Sequence, residues 1–498
     1  MTAGVSFVAV LGASIIGRGS IWFDEAFSEH ISRHTFWDIA RFTAADVHPP
    51  LYYWLLKIWR VFFGDTEVAL RSLSLVCLVV AVTVAYVAVR RLFDRRAAIV
   101  SMVFLALSPV LFRYGVEARM YTLELLIVIA ATVALLYAIR HSQLRRGWVV
   151  YGVLIGLGLL THYLSAVVWV AQGLWVLWRY RGEKLLTTIK QAMHSGYKYA
   201  VMAAIGVSLV WLPFMLWQLV NIQGGGFWIG PVTLHTLPDF VSNAYTYVGG
   251  DSLYGWHAVG LLIAVGAGSG VVVLGLRLLT GDKKQAFTLL LATAVLPPLL
   301  LVAGSMPPLR SSFVDRYLLA SVAMWLLSLG IAVAVVWHRK GNAGLLAKAV
   351  FVLTCGLLAL GCYQVYQVGN VNKDNGSAHR MRSAMDLVGA HAAAGEPVIA
   401  DTSWHYYEAS FYETAEHEVY FRSEDHTKIG AYEMLREEYD RKITDMADFG
   451  RKHPVVWFVT AQPRDVGSRI PAGWREEESY LVENPSLLRV VKIRYGGN

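Results

Sequence analysis

The chain has 498 residues, of which 56% are hydrophobic and only 16% charged, with a formal net charge of +8. Apolar runs long enough to cross a membrane recur along most of it, which excludes an ordinary soluble enzyme. The fold class predicted is therefore a polytopic α-helical membrane protein. The excess charge does not indicate nucleic-acid binding, because Lys and Arg gather between the apolar runs, where they meet lipid headgroups.

The apolar runs predict eleven membrane spans. They lie near residues 3–20, 71–90, 97–113, 121–139, 147–161, 164–179, 199–220, 256–278, 286–304, 317–337 and 345–367. Alternate connections are rich in Lys and Arg, whereas the long connection 221–255 has neither. The positive-inside rule then predicts a multi-pass protein of the cell membrane (an inner or plasma membrane) with a cytoplasmic N-terminus. The first long loop and the C-terminus face the periplasm or the cell exterior.

Two other features are interpreted as structural. The run 5–16 resembles the core of a signal peptide, but no basic residue precedes it, so a retained first span is predicted. Cys77, Cys355 and Cys362 all fall inside apolar spans, which predicts packed thiols rather than disulfides.

The first outer loop, about residues 21–70, is far more polar than its surroundings and carries the adjacent acids Asp24 and Glu25. Two carboxylates just beyond a span are not needed for crossing the membrane, so they indicate function. The alternative is that they only begin a surface helix, whose first turn favours acidic side chains.

Short helices are expected within this loop. Thr35 and Asp38 form a capping arrangement for a helix over 36–45, and a second, aromatic helix follows over 51–63. About thirteen residues cannot cross a hydrocarbon core of about 30 Å, so this helix is expected in the interface. Its aromatic side chains at headgroup level would be Tyr52, Tyr53, Trp54 and Trp59.

The composition changes near residue 371, which separates a transmembrane domain, 1–370, from a small extracytoplasmic α/β domain, 371–498. Helices are predicted over 377–394, 404–413 and 432–449, and strands over 397–401, 418–421 and 454–460. Edge strands are predicted over 479–483 and 487–494. This domain lacks phosphate loops and nucleophile motifs, which favours a supporting or acceptor-recognition role.

Polar side chains at the outer ends of spans are the candidate site residues, because all are predicted at one membrane level. They are Asp24, Glu25, Asp46, His48, Arg113, Glu117, Arg119, His162, Asp315 and Arg316. Arginine presents a bidentate, permanently charged fork to phosphate. A phosphorylated substrate delivered at membrane level is most simply a phospholipid or a polyprenyl phosphate.

Simpler interpretations stay open for several of them. Arg113 and Arg119 could be interfacial anchors, and His162 a structural histidine at a helix end. Asp315 and Arg316 could form a local salt bridge.

The sequence implies no definite cofactor, and a divalent metal ion is the alternative. The spacing of Asp46 and His48 suits two metal ligands on an extended segment, and His162 with a carboxylate could complete the site.

Several motifs, in order, resemble the GT-C glycosyltransferases of the protein O-mannosyltransferase-like branch, which includes bacterial aminoarabinose transferases. They are WFDEA at 22–26, HPPLYY at 48–53, Gly64 with ALR at 69–71, RYGVEARMY at 113–121, THY at 161–163 and RYL at 316–318. Where aminoarabinose transferases typically carry Lys beside Glu, this chain has His48 beside Val47. The resemblance covers about residues 1–340.

The resemblance implies transfer of a sugar from a polyprenyl-phosphate donor to an acceptor hydroxyl on the outer face, with inversion. It makes Asp24 the general base, with Glu25 orienting the loop or a hydroxyl. Arg113, Arg119 and Arg316 would stabilise the leaving phosphate. The remaining substrate-binding candidates are His48, Tyr52, Trp54, Arg71, Glu117, Tyr121, His162 and Asp315.

The partners implied are a polyprenyl-phosphate-linked sugar, membrane lipids, and a glycan, lipid or protein acceptor. Two other functions remain alternatives: a transporter or flippase for a lipid-linked saccharide, and a polysaccharide polymerase or ligase. No inverted repeat is apparent in the sequence, which disfavours a transporter.

Overall fold

The computed structural model describes residues 2–221, 229–247, 256–368, 380–422, 433–460, 470–482 and 488–496. The chain divides into two compact units. Unit 1 consists of Met1–Ser14, Arg71–Met215 and Gly226–Val368; unit 2 consists of Ile15–Leu70, Leu216–Gly225 and Gly369–Asn498. The predicted domain boundary, near residue 370, lies outside the described residues.

Helices account for almost all regular structure before residue 369. They are α1 (Thr2–Ile15), α2 (Phe23–Arg33), α3 (Phe36–Ala45), α4 (Leu51–Phe63), α5 (Glu67–Leu92), α6 (Arg95–Ala106), α7 (Pro109–Gly115), α8 (Tyr121–Arg140), α9 (Arg145–Thr161), α10 (Ser165–Arg179), α11 (Leu185–Ala192), α12 (Lys198–Ser208), α13 (Leu212–Asn221), α14 (Thr236–Thr246), α15 (Trp256–Leu278), α16 (Gly281–Gly304), α17 (Leu319–Val336) and α18 (Asn342–Val368). A π-helical turn, Met193–Tyr197, joins α11 to α12.

Within the described residues, six helices are long and apolar enough to cross a membrane, or eight if each of two bent pairs counts as one span. The protein is therefore a multi-pass membrane protein, but the predicted number of eleven spans is not confirmed. Helices do occupy every predicted position, yet α1, α9 and α10 have only 14, 17 and 15 residues.

The two bent pairs have local causes. Between α6 and α7 the chain turns by 62°, where Ser108 caps α7 and Pro109 occupies its first turn. Proline has no backbone N–H to continue the preceding helix, so a new helix begins there. The second bend, of 72°, precedes α13, whose second residue is Pro213.

Small residues allow the helices of unit 1 to approach closely, as is usual between membrane helices. A Cβ on Gly330 of α17 would lie 2.6 Å from Cα of Ser101 in α6, and one on Gly152 of α9 would lie 2.1 Å from the carbonyl oxygen of Ala200 in α12. The most deeply buried of the candidate spans is the one that contains α17.

The short helices of the first outer loop belong to unit 2 and confirm the sequence prediction. Helix α3 has the predicted bounds, and the Thr35 hydroxyl accepts a hydrogen bond from Asp38 N at 3.1 Å. Helix α4 also has the predicted bounds. Tyr52 and Tyr53 are buried within the protein, so neither side chain presents a surface. The large apolar side chains that α4 exposes are those of Ile58, Val61, Phe62 and Phe63, the last three in its final turn.

Within its described residues, the C-terminal part of unit 2 contains a six-stranded mixed sheet and three helices. The strands are β1 (Val398–Ala400), β2 (Val419–Arg422), β3 (Lys442–Ile443), β4 (Val455–Thr460), β5 (Trp474–Leu481) and β6 (Arg489–Tyr495), in the order β3-β2-β1-β4-β6-β5. The helices are α19 (Met381–His391), α20 (Ser403–Phe411) and α21 (Met446–Lys452). β3, β2, β1 and β4 run parallel, while β6 is antiparallel to β4 and β5.

Two predictions for this domain are wrong. The helix predicted over 432–449 is replaced by two 3₁₀ turns, β3 and α21; residue 432 itself lies outside the described residues. Ile443 pairs with Arg422 of β2, and the Asp445 carboxylate caps α21, so sheet pairing and a local cap override helix propensity. The strand predicted over 487–494 is not an edge strand, because β6 lies between β4 and β5.

Candidate active site

Helix α2 of unit 2 carries both acids of the first outer loop in its first turn. Asp24 is partly exposed, and its carbonyl oxygen accepts a hydrogen bond from the Ser28 hydroxyl at 2.7 Å. Glu25 is completely buried. The surface-helix interpretation is therefore wrong for Glu25, because a solvated first-turn acid would not be enclosed by protein.

Asp46 and His48 form a second polar group in unit 2. Nδ1 of His48 lies 3.0 Å from Oδ2 of Asp46, and both side chains are largely buried. The amide of Gln218 fixes the backbone beside them, donating to the carbonyl oxygens of Thr43 at 2.7 Å and Asp46 at 2.6 Å.

The metal site predicted from Asp46, His48 and His162 is not supported. Among the residues that the structure describes, no three His, Cys, Asp or Glu side chains group so that they could hold a metal ion. The Asp46–His48 pair has the geometry of an ordinary hydrogen bond, in which each residue satisfies the other.

Tyr52 and Trp54, the proposed aromatic contacts to substrate, occupy different environments on α4. Tyr52 is buried, with its ring 5.9 Å from that of Tyr53. Trp54 is partly exposed, and its indole N–H donates to the carbonyl oxygen of Phe36 at 3.0 Å. Of the two, only Trp54 presents surface to a ligand in this conformation.

Four arginines predicted to bind substrate lie in unit 1, and all four are buried: Arg71, Arg113, Arg119 and Arg316. Nη1 of Arg113 lies 2.7 Å from Oε2 of Glu117, and each side chain is only 1% exposed. The interfacial-anchor interpretation is wrong for Arg113 and Arg119, because an anchor keeps its charged end in the headgroup layer.

The backbone around Arg119 is held by two hydroxyl groups. Ser74 of α5 donates to the carbonyl oxygen of Arg119 at 3.0 Å, and Thr122 donates to the carbonyl oxygen of Ser74 at 2.9 Å. The segment between α7 and α8, which contains Glu117 and Arg119, is thereby fixed against α5.

His162 and Tyr121, both candidate substrate-binding residues, meet in unit 1. Their ring centroids are 6.3 Å apart, and the His162 ring lies 4.6 Å from that of Tyr317. His162 also lies beside an acid that the sequence analysis missed, since its Nδ1 is 3.5 Å from Oε2 of Glu124. A carboxylate inside an apolar span is the signal that could have identified Glu124.

Asp315 and Arg316 lie in a 3₁₀ turn, Asp315–Leu318, just before α17, and the structure gives each a contact outside the pair. Asp315 accepts a hydrogen bond from the Asn243 side-chain amide, a partner that the sequence analysis also missed. The Arg316 guanidinium lies 5.7 Å from the centroid of the Tyr317 ring. The sequence interpretation of a purely local salt bridge therefore does not describe all of their interactions.

Unit 1 thus combines four buried guanidinium groups with three carboxylates, Glu117, Glu124 and Asp315, and the imidazole of His162. Guanidinium groups excluded from water interact strongly with phosphate oxygens and need no protonation step. Each of these guanidinium groups is chemically suited to holding an anionic group. In unit 2, Asp24 is a partly exposed carboxylate that could accept a proton.

The family model described as dolichyl-phosphate-mannose-protein mannosyltransferase matches residues 47–217. The matched region contains His48, Arg71, Arg113, Arg119 and His162, but begins after Asp24 and Glu25.

A curated relative from Pseudomonas aeruginosa (strain UCBPP-PA14) is named undecaprenyl phosphate-alpha-4-amino-4-deoxy-L-arabinose arabinosyl transferase. It is 24% identical over 357 residues, which cover 70% of this chain and 60% of the relative. The aligned part therefore spans less than two thirds of the relative's length.

Two crystal structures of ArnT from Cupriavidus metallidurans share the fold. The apo structure matches with a TM-score of 0.63 and the structure bound to undecaprenyl phosphate with a TM-score of 0.59. Each is 15% identical, and each match covers 99% of this chain and 97% of the solved chain. The chain therefore resembles the dolichyl-phosphate-mannose-protein mannosyltransferases over residues 47–217 and shares the fold of the two ArnT structures.

Proposed function

We propose that this protein transfers a sugar from a polyprenyl-phosphate donor to the hydroxyl group of an acceptor. The observation that carries the proposal is the set of buried arginines in unit 1, which is chemically suited to a lipid phosphate. Similar proteins support the proposal: the Pseudomonas relative is named an undecaprenyl phosphate-alpha-4-amino-4-deoxy-L-arabinose arabinosyl transferase, and one ArnT structure is bound to undecaprenyl phosphate.

In the proposed reaction, the acceptor oxygen attacks the anomeric carbon and forms the new glycosidic bond. The bond between that carbon and the phosphate oxygen breaks, and its electron pair leaves with the polyprenyl phosphate. The acceptor proton passes to the carboxylate of Asp24, the general base. A single displacement of this kind inverts the anomeric configuration.

Arg113, Arg119 and Arg316 are proposed to stabilise the negative charge that grows on the leaving phosphate. Their burial supports this role, because charge–charge interactions strengthen where water is excluded. Within unit 1, Glu117 would hold Arg113 in place through the 2.7 Å ion pair.

The other proposed contributions are those of binding and orientation. Glu25, which is buried and adjacent to Asp24 in the sequence, would fix the first turn of α2. Trp54 would contribute its partly exposed surface to the sugar or lipid. The remaining residues proposed to contact substrate or to hold those that do are His48, Tyr52, Arg71, Tyr121, His162 and Asp315.

We propose a cell-membrane location with the N-terminus in the cytoplasm and the C-terminal domain outside. The clusters of Lys and Arg support this orientation, because they fall after α5, α8, α10, α15 and α17, on alternate connections. The membrane-domain and α/β-domain division at about residue 370 is part of the same proposal.

The test uses purified full-length protein and a panel of synthetic polyprenyl-monophosphate sugars, with sugar transfer to added acceptors as the readout. Asp24→Asn retains the shape of the side chain but cannot accept the proton, so its rate should fall about 10²–10⁴-fold. The control is Asp65→Asn, since Asp65 lies in the same unit with its side chain 63% exposed.

Equal rates for Asp24→Asn and wild type would remove Asp24 from the mechanism. Transfer in detergent, without a sealed membrane, distinguishes an enzyme from a transporter or flippase. A polymerase or ligase would instead act on diphosphate-linked oligosaccharides and ignore the monophosphate panel. If the wild type bound these lipids but transferred no sugar, the proposed function would be wrong.

A further inference from the structure

Helix α2, which carries Asp24, presents one of its faces to the C-terminal domain within unit 2. Phe23, Phe27 and His30 lie on this face, at the i, i+4 and i+7 spacing of an α-helix. The Phe23 ring stacks on Trp404 of α20 with centroids 4.5 Å apart and planes inclined by 15°. The Phe27 ring meets Tyr407, also of α20, edge to face at 6.0 Å.

A largely buried carboxylate, that of Glu438, fixes the second turn of the same face. Glu438 pairs with Nε2 of His30 and accepts a hydrogen bond from the hydroxyl of Tyr406 in α20. The His30 ring also lies 5.0 Å from the Tyr407 ring, edge to face. Rotation of α2 about its axis would break this ion pair and the aromatic contacts together.

Tyr412, the residue that follows α20, fixes the backbone just before α2. The Tyr412 hydroxyl accepts a hydrogen bond from the backbone N–H of Ile21 at 2.7 Å and donates to Glu67. Ile21 precedes Asp24 by three residues. Asp24 is therefore bracketed along the sequence by contacts to the C-terminal domain at residues 21, 23, 27 and 30.

We propose that α20, with Tyr412 and Glu438, positions Asp24 for proton transfer, and that Trp404, Tyr407, Tyr412 and Glu438 are positioning residues. The inference rests on the proposed function of Asp24 as the general base. A base acts only within hydrogen-bond reach of the proton it removes, so its helix must be held to a fraction of an ångström. The C-terminal domain would then serve catalysis without contacting the substrate.

Trp404 is the most informative position to change, because its side chain is 47% exposed and its loss leaves no deep cavity. Trp404→Ala should lower kcat about 10–10²-fold, as expected for a displacement of up to about 1 Å. The donor KM should change little, because donor binding is assigned to arginines of unit 1. Trp404→Phe preserves a stacking ring and should recover most of the rate.

A double-mutant cycle separates positioning from a general loss of structure. If Trp404 acts through Asp24, then Trp404→Ala should cause no further loss in the Asp24→Asn background. A further loss equal to that in wild type would overturn the proposal. Tyr480→Ala, which removes an aromatic ring that contacts His391 and Trp457 in the same domain, is the control and should retain wild-type kcat.

Hydrogen exchange of the full-length protein tests whether these residues fix the position of α2, and it does not require an activity measurement. In Trp404→Ala and in Tyr412→Phe, the backbone amides of α2 should exchange faster, while those of β4 should not change. Unchanged exchange in α2 would overturn the proposal whatever the kinetics show. A wild type that transfers no sugar, combined with faster exchange in α2, would instead refute the proposed function and with it the catalytic role.

Discussion

Arg113 and Glu117 form an ion pair, 2.7 Å between Nη1 and Oε2, from which water is almost entirely excluded. The two residues are four apart, but α7 ends at Gly115, so the pair spans the end of the helix rather than a helical turn. Their pairing fixes the backbone direction just where the chain leaves α7.

Glu117→Ala should therefore destabilise the protein strongly, because it removes this carboxylate from a buried guanidinium. The expected cost is about 3–5 kcal/mol, seen as a large fall in the thermal unfolding temperature in detergent. The matched control is Asp282→Ala, which breaks the exposed 3.6 Å pair with Arg140 and should cost about 0–1 kcal/mol. Equal effects of the two substitutions would contradict this account of the buried pair.

The loss of folding stability at acidic pH should depend on Glu438. Burial alone would raise the pKa of Glu438, but the hydrogen bond and charge of His30 and the hydrogen bond from Tyr406 hold the pKa below its ordinary value of 4.5. A carboxyl group with a lowered pKa stabilises the fold above that ordinary value, and the stabilisation disappears as the pH falls through the lowered value.

Thermal unfolding of the full-length protein between pH 6 and pH 3 measures this contribution. Glu438→Gln should be less stable than wild type at pH 6, and the difference should shrink towards pH 3. Glu437→Gln is the comparison: the ion pair with Arg41 also lowers the pKa of Glu437, but it is exposed and should contribute much less. A difference between Glu438→Gln and wild type that is independent of pH would be evidence against the ionised Glu438 as its source.

Gly330→Ala should disturb the packing of α17 on α6. The added Cβ would lie 2.6 Å from both Cα and Oγ of Ser101, so one helix must move away from the other. Overpacking of this kind costs about 1–3 kcal/mol. Gly356→Ala, in α18, is the control, since no atom lies within 4 Å of its Cβ position. The unfolding temperature should fall for Gly330→Ala only.

Arg316→Lys should weaken donor binding although it retains the charge. Lysine offers a point charge, whereas the guanidinium can form two parallel hydrogen bonds to a phosphate. Binding of a polyprenyl phosphate to the purified protein should weaken about tenfold, the effect of losing about 1.4 kcal/mol. Arg339→Lys, at an exposed position after α17, should bind normally. An unchanged affinity for Arg316→Lys would remove Arg316 from the phosphate site.

Local sequence patterns predicted much of the fold correctly. The bounds of α3 and α4 followed from Thr35, Asp38, Pro50 and the aromatic run, because caps and proline act on their immediate neighbours. The β1 and β4 strands followed from short apolar runs. The helix predicted over 432–449 failed because Ile443 pairs with a strand about twenty residues earlier, which no local pattern reveals.

The candidate site was predicted as a set of residue types, not as a set of contacts. Adjacent acids outside a span and arginines at span ends are unusual enough to identify Asp24 and Arg113 without coordinates. Asn243 was missed because only the folded bundle brings it to Asp315. Glu124 was missed although an acid within an apolar span is a signal in the sequence, and only the fold shows that it lies beside His162.

The sequence by itself determined the membrane class, the order of the elements and the residues whose side chains could take part in catalysis or binding. These follow from hydropathy, capping and charge, which are properties of neighbouring residues. Tertiary structure alone decided that Glu25 is buried and that His30 pairs with Glu438, a partner 408 residues away. The physical reason is that burial and ion pairing depend on which distant surfaces exclude water together. That choice is made by the packing of the whole unit, not by any segment of it.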